Sequence, residues 1–136
     1  MMYIDATVFI SSFLEEGEET KLSKSVLEKI TTNEINAFTS ALTWDEIVWA
    51  ARKHLSPQDG IEQGKKFLEF PYLNFIEADE IVIKTAQDIM ERYGLKPRDA
   101  IHAASAISKG IKEIISEDED FDTVKELKRR GLRDFK

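Results

Sequence analysis

The spacing of apolar positions in this chain switches repeatedly between short runs and a helical period. Residues 2–6 (MYIDA) form a short apolar run with one acid near its end, and Thr7 through Leu14 continue as the start of a helix. Leu22, Val26, Leu27 and Ile30 recur on one helical face, and Asn36–Phe38 form a short candidate strand. From Trp44 the positions Ile47, Val48, Ala51 and Leu55 keep the helical period until Ser56-Pro57 breaks it. A further helix is predicted from about Gln58 to Phe70, with Pro71 as its stop. Tyr72, Leu73, Phe75 and Ile76 predict a third strand, and Ile81, Ile83, Ala86, Ile89 and Met90 predict a helix ending before Gly94. Pro97 opens a small-residue helix, DAIHAASAISKG, closed by Gly110, whose Ala and Ser face permits close packing on a sheet. Residues 113–116 (EIIS) read as the fourth strand. Asp122 is placed to cap a last short helix ending at Gly131, and Leu132 to Phe135 offer an added edge strand.

Strands alternating with helices predict an α/β fold with a mostly parallel sheet of four or five strands, covered on both faces. Ligands of such sheets bind beyond the carboxyl ends of the strands, so acids just after a strand are the ones to follow. The 136 residues fit one domain spanning 1–136, with no repeat, low-complexity tract or Pro/Gly-rich linker to divide it. A formal charge of −7 argues against a basic surface that tracks nucleic acid unaided. Phosphate chemistry here would need imported cations. The absence of cysteine excludes disulfides, zinc fingers, thiol catalysis and iron–sulfur clusters, and leaves oxygen ligands or two histidines for any metal. No apolar run approaches the length of a membrane span, and the opening MMYIDATVFI has an acid where a signal peptide would carry a cationic start. A cytoplasmic protein is expected.

Four acids occupy the predicted strand ends or the helical turns after them. Asp5 follows the first strand and reads equally as a helix cap, with Thr7 offering a hydroxyl two residues on. Glu46 lies three residues after Thr43, the spacing of a capping box, and Asp45 is its rival. Asp99 falls in the first turn after Pro97, where a carboxylate also suits the helix dipole. The loop SEDEDFD holds five acids in seven residues, mostly solvated surface. Asp118 stands out there, two residues beyond Ser116 and near the apolar anchor Phe121. Brought together, four carboxylates repel by about 1–4 kcal/mol per close pair, so shared protons or a bound cation must offset them. Hard oxygen ligands favour Mg²⁺ or Mn²⁺ over zinc, and phosphoryl transfer is the chemistry such a site suits.

Four motifs in this order, YIDATVFI, TSALTWDEIVW, LKPRDAIHAASAI and IISEDEDFD, resemble the PIN domain family of ribonucleases, in particular the single-domain VapC-type toxins of toxin–antitoxin pairs. The resemblance covers nearly the whole chain. It implies a Rossmann-like three-layer α/β/α sandwich and a site in which Asp5, Glu46, Asp99 and Asp118 hold one or two Mg²⁺ or Mn²⁺. It further implies hydrolysis of single-stranded RNA to a 5′-phosphate and a 3′-hydroxyl, a cognate antitoxin protein and a homodimer. Ser116 and Thr7 match hydroxyls that accompany the acids in the family, Asp120 is the auxiliary or alternative fourth acid, and Ala6 departs from a more usual polar residue.

Arg98, Arg52, Lys53 and Lys128-Arg129-Arg130 are candidate phosphate contacts, though most such charges are ordinary surface. His102, three residues after Asp99, could face the pocket, but on an Ala-rich helix it reads chiefly as a packed or half-buried residue, and His54 carries no signal. Trp44, Trp49, Phe67 and Phe70 suit core packing more than a groove for an antitoxin helix or a dimer face. Two other functions share the fold: a non-catalytic protein-binding domain whose acids only cap helices, and a free-standing RNA-processing nuclease. A phosphorylated receiver domain is disfavoured because Asp5 has no acidic neighbour, and the chain lacks the glycine patterns of P-loops and dinucleotide sites.

Overall fold

A computed structural model describes residues 1–135 of the chain. The elements run β1 (Met2–Ile4), α1 (Ala6–Leu14), α2 (Glu18–Thr31), β2 (Ala37–Ser40), α3 (Leu42–His54), α4 (Pro57–Leu68), β3 (Leu73–Ile76), α5 (Glu80–Tyr93), α6 (Pro97–Ser108), β4 (Glu113–Ile115) and β5 (Lys128–Arg130). Two 3₁₀ turns, Glu119–Thr123 and Leu132–Phe135, flank β5. The strands form one sheet in the order β3-β2-β1-β4-β5, and every neighbouring pair is parallel. This is the expected α/β architecture with a fifth strand.

Alternation along the central strands divides the core between the two faces of the sheet. Tyr3 and Ile114 pack with Val82, Ala86 and Ile89 of α5 and the alanines of α6. Ile4 and Ile115, the next residues along, pack on the other face against Val8 and Phe9 of α1, Val26 and Ile30 of α2, Ile47 of α3 and Phe67 of α4. Ala100, Ala103, Ala104 and Ala106 are buried, so α6 lies close on the sheet as its small residues predict. Among the described residues no helix is long and apolar enough to cross a membrane.

Local chemistry sets several boundaries. Ser56 accepts the Asp59 N–H at 3.0 Å just ahead of Pro57, and Asp79 accepts the Val82 N–H at 3.0 Å to open α5. Gly94 closes α5 in the left-handed conformation at φ 71°.

Two expectations near the C-terminus are corrected. The segment after Asp122 is not a helix: Asp118 accepts the Asp120 N–H at 2.9 Å and starts a 3₁₀ turn, and the chain then enters β5. Asp122 accepts from the Arg129 guanidinium at 2.9 and 3.2 Å instead of capping. The added edge strand lies at Lys128–Arg130, and Leu132–Phe135 is a 3₁₀ turn. The open edge of β4 and burial of Phe121, Val124 and Leu127 override a helix propensity worth only tenths of a kcal/mol per residue.

Candidate active site

Register places the first acid. Because Ile4 pairs with Ile115 across parallel strands, Asp5 and Ser116 emerge side by side at the carboxyl ends of β1 and β4. Asp5 is almost fully buried, and its Oδ2 accepts hydroxyl bonds from Thr7 at 2.9 Å and Ser116 at 2.6 Å. It stands at the N-cap position of α1 but makes no side-chain cap bond. Its burial is therefore matched to the two hydroxyls that the sequence places beside it. Ser116 Oγ also accepts the Asp118 N–H at 3.0 Å, which ties the acidic loop to the first acid.

Four of the loop's five acids divide between holding the fold and joining Asp99. Glu117 accepts the Leu132 N–H at 2.7 Å and holds the final turn, and Asp122 pairs with Arg129. Asp118 and Asp120 lie with Asp99 such that one oxygen from each falls within 4.8 Å of the others, close enough to share a cation. Fully buried Phe121 anchors this loop against the core. Asp118 is thus joined by Asp120, and the alternatives of the sequence stand together.

Glu46 arrives from α3 by a route that its sequence spacing does not reveal. Thr43 does not cap: the N-cap position is Ala41, and Thr43 is buried with its hydroxyl 2.7 Å from that of Thr39. Glu46 sits one turn further on, with Oε1 2.5 Å from His102 Nε2. The rival Asp45 lies 3.9 Å from Arg98 and is well exposed. His102 is fully buried, its Nδ1 lies 2.6 Å from the Tyr3 hydroxyl, and its Nε2 is 3.8 Å from Asp5 Oδ1. Burial lowers the affinity of this imidazole for a proton, but the Glu46 bond and the charges of Asp5, Glu46 and Asp99 raise its pKa above the ordinary value overall. Tyr3 is the participant missed from sequence, whereas His102, weighed there both as a packed residue and as one facing the pocket, is both: it is fully buried and reaches Glu46.

Asp99 records the crowding. Its pKa rises from 3.8 to about 6, first because of burial and then because of the charges of Asp118, Asp5 and Glu46, with His102 opposing them. A carboxylate that resists ionisation among other carboxylates, in an all-oxygen set, suits a hard divalent cation. Asp99 and Glu46 line a cleft of about 390 Å³ with Lys96, Pro97 and Arg98, so two cationic side chains share its lining with the acids.

Other candidates fall elsewhere. Arg129 and Arg130 are engaged within the fold, Arg129 with Asp122 and Ser116 O and Arg130 with Glu113 and Asp134. Phe67 is core, whereas Trp44 and Trp49 are exposed.

Residues 2–127 match the PIN domain family. The chain belongs to that family. Among individual proteins, this PIN domain is 22% identical over 144 residues to Ribonuclease VapC6 of Methanocaldococcus jannaschii, with 90% of this chain and 92% of the relative covered. The PIN fold also superposes on Mycobacterium tuberculosis VapC20, a sarcin-ricin loop cleaving toxin, with TM-score 0.75, 12% identity and coverage of 92% of this chain and 95% of that one. It superposes on VapBC2 of Rickettsia felis, solved bound to a DNA fragment from its promoter, with TM-score 0.72, 15% identity and coverage of 96% and 98%.

Proposed function

We propose that this PIN domain is an endoribonuclease that uses Mg²⁺ or Mn²⁺ to hydrolyse phosphodiester bonds of single-stranded RNA, as the toxin of a toxin–antitoxin pair. The observation that carries the reading is the convergence of Asp99, Asp118 and Asp120 at the strand ends, with Asp5 and Glu46 near enough to raise the Asp99 pKa. The ribonuclease name of the relative, the toxin named in the Mycobacterium structure and the VapBC2 structure support the activity and the partner. The match over residues 2–127 supports reading 1–136 as a single such domain. The reading carries a cytoplasmic location and a homodimer with it.

Asp5, Glu46, Asp99 and Asp118 are the residues we assign to hold the cation, with Asp120 beside them. When bound, a divalent ion there supplies Lewis acidity to the phosphate and to an attacking water. The protein's part is to present its acids ionised and fixed. Thr7 and Ser116 satisfy one oxygen of Asp5, and Ser116 fixes the start of the Asp118 loop. Lys96 and Arg98 sit where they can meet RNA phosphates approaching past Asp99. A chain of net charge −7 needs such local cations to admit a polyanion.

Incubating labelled single-stranded RNA with the protein and Mg²⁺ or Mn²⁺ tests the proposal. Cleavage should vanish with excess chelator and fall at least 100-fold in Asp99→Asn. If no cleavage occurs and calorimetry detects no metal binding, the chain is a binding domain and the proposal fails.

A further inference from the structure

His102 connects two elements of the proposed site through a hydrogen-bond chain whose direction can be read from its donors. The Ser40 N–H, at the end of β2, donates to the Tyr3 hydroxyl oxygen at 2.9 Å. His102 Nδ1 lies 2.6 Å from that oxygen, and because the Glu46 carboxylate on the ring's other nitrogen can only accept, Nδ1 is the acceptor placed for the Tyr3 proton. With Nδ1 accepting, the neutral ring carries its own proton on Nε2, which points at Glu46 Oε1 at 2.5 Å. The chain thus runs from β2 through β1 and α6 to α3. It closes on itself, because Ser40 Oγ accepts the N–H of Leu42, the first residue of the helix that carries Glu46.

We propose that Tyr3 and His102 are positioning residues, a buried relay that fixes the imidazole as its Nε2–H tautomer and holds the Glu46 carboxylate in one orientation beside the acidic cluster. The inference rests on the metal-site reading and adds to it two residues outside the acid set. The same helix carries Asp99 three residues before His102, so Glu46 and Asp99 are both set relative to one rigid ring. Tyr3 and His102 are both fully buried, whereas the Glu46 side chain retains 20% exposure and depends on this contact for its order. Partners that orient a metal ligand from behind typically change metal affinity by about 10–100-fold when removed. The mundane alternative is that His102 merely fills the core.

Long-range ¹H–¹⁵N spectra of the metal-free protein at alkaline pH should show His102 protonated on Nε2. Tyr3→Phe, which keeps the ring and loses the hydroxyl, should shift the Nδ1 resonance, because Nδ1 loses the donor it accepts from, and weaken Mn²⁺ binding about tenfold. His102→Leu should weaken it about 10–100-fold. His102→Gln, whose amide can donate to Glu46, should recover most of that loss. In cleavage assays kcat should fall with KM for RNA unchanged. An Nδ1–H tautomer in the wild type, or Mn²⁺ affinity unchanged in folded Tyr3→Phe, overturns the proposal; should His102→Leu not fold, Tyr3→Phe decides alone. The spectra and Mn²⁺ titrations use no RNA. A wild type that shows the relay but cleaves nothing would therefore count against the ribonuclease reading and leave this inference standing.

Discussion

Asp99 shows how a site residue can work against its own fold. With its pKa raised from 3.8 to about 6, the native metal-free protein holds this proton more tightly than the unfolded chain does. Between about pH 4 and 6 the native state therefore binds more protons, and this group's contribution to stability declines as pH rises through that window. At neutral pH the ionised carboxylate is a net cost. Asp99→Asn in chelator should raise the stability at pH 7 by about 1 kcal/mol, a figure reduced from the full shift because Asp99 is only half-buried, or about 3 °C in Tm. The gain should shrink towards zero near pH 4. Adding Mg²⁺ should reverse the order, because only the wild type gains binding free energy. Thermal unfolding by circular dichroism checks both halves, and a variant no more stable than wild type at pH 7 would refute the crowding. That Asp5, Glu46, Asp99 and Asp118 stand just after a strand or early in the element that follows was legible because such placement is a local property. The sorting of Glu117, Asp120 and Asp122 was not, since their partners Leu132, Asp99 and Arg129 come from elsewhere in the fold. The Thr43 spacing misled for a local reason: α3 starts from Ala41, and the Thr43 hydroxyl is taken by Thr39, four residues earlier at the end of β2.

At the scale of elements, the pairing of α3 with α4 depends on what α4 omits. A Cβ added at Gly64 would come within 2.9 Å of Val48 Cγ2 and 3.0 Å of Trp44 Nε1. Gly64→Ala gains nearly 1 kcal/mol of helix propensity but must displace both side chains, and overpacking of this kind typically costs about 1–3 kcal/mol. Net destabilisation of roughly 1 kcal/mol is expected in denaturant titrations. A stabilised variant would show that α4 can shift freely on α3. Helices and strands up to β4 were readable because their buried faces follow a period. Lys128–Arg130 was not, because a charged triplet becomes a strand only when the edge of β4 offers it a partner.

The whole molecule carries a formal charge of −7, and part of that charge is concentrated at one end of the sheet. Self-repulsion in the metal-free protein should be relieved by salt, so Tm in chelator should rise with NaCl as screening shortens the range of the repulsion. MgCl₂ at equal ionic strength should raise Tm further, and the excess measures site binding alone; equal effects of the two salts would argue against a specific cation site.

The bond from Ser116 to Asp5 spans 111 positions of chain, which gives the fold a direction in time. During synthesis at about 5–20 residues per second, roughly 6–22 s separate the first acid from its hydroxyl partner. Throughout that interval β1 lacks β4, and Asp118 and Asp120 have not been made. A nascent chain that stops short of Ser116 therefore lacks the acidic cluster whatever its other helices have done. The cell that makes this protein meets an assembled acidic cluster only after Asp120 has been made, which leaves an interval for a partner to be made and waiting.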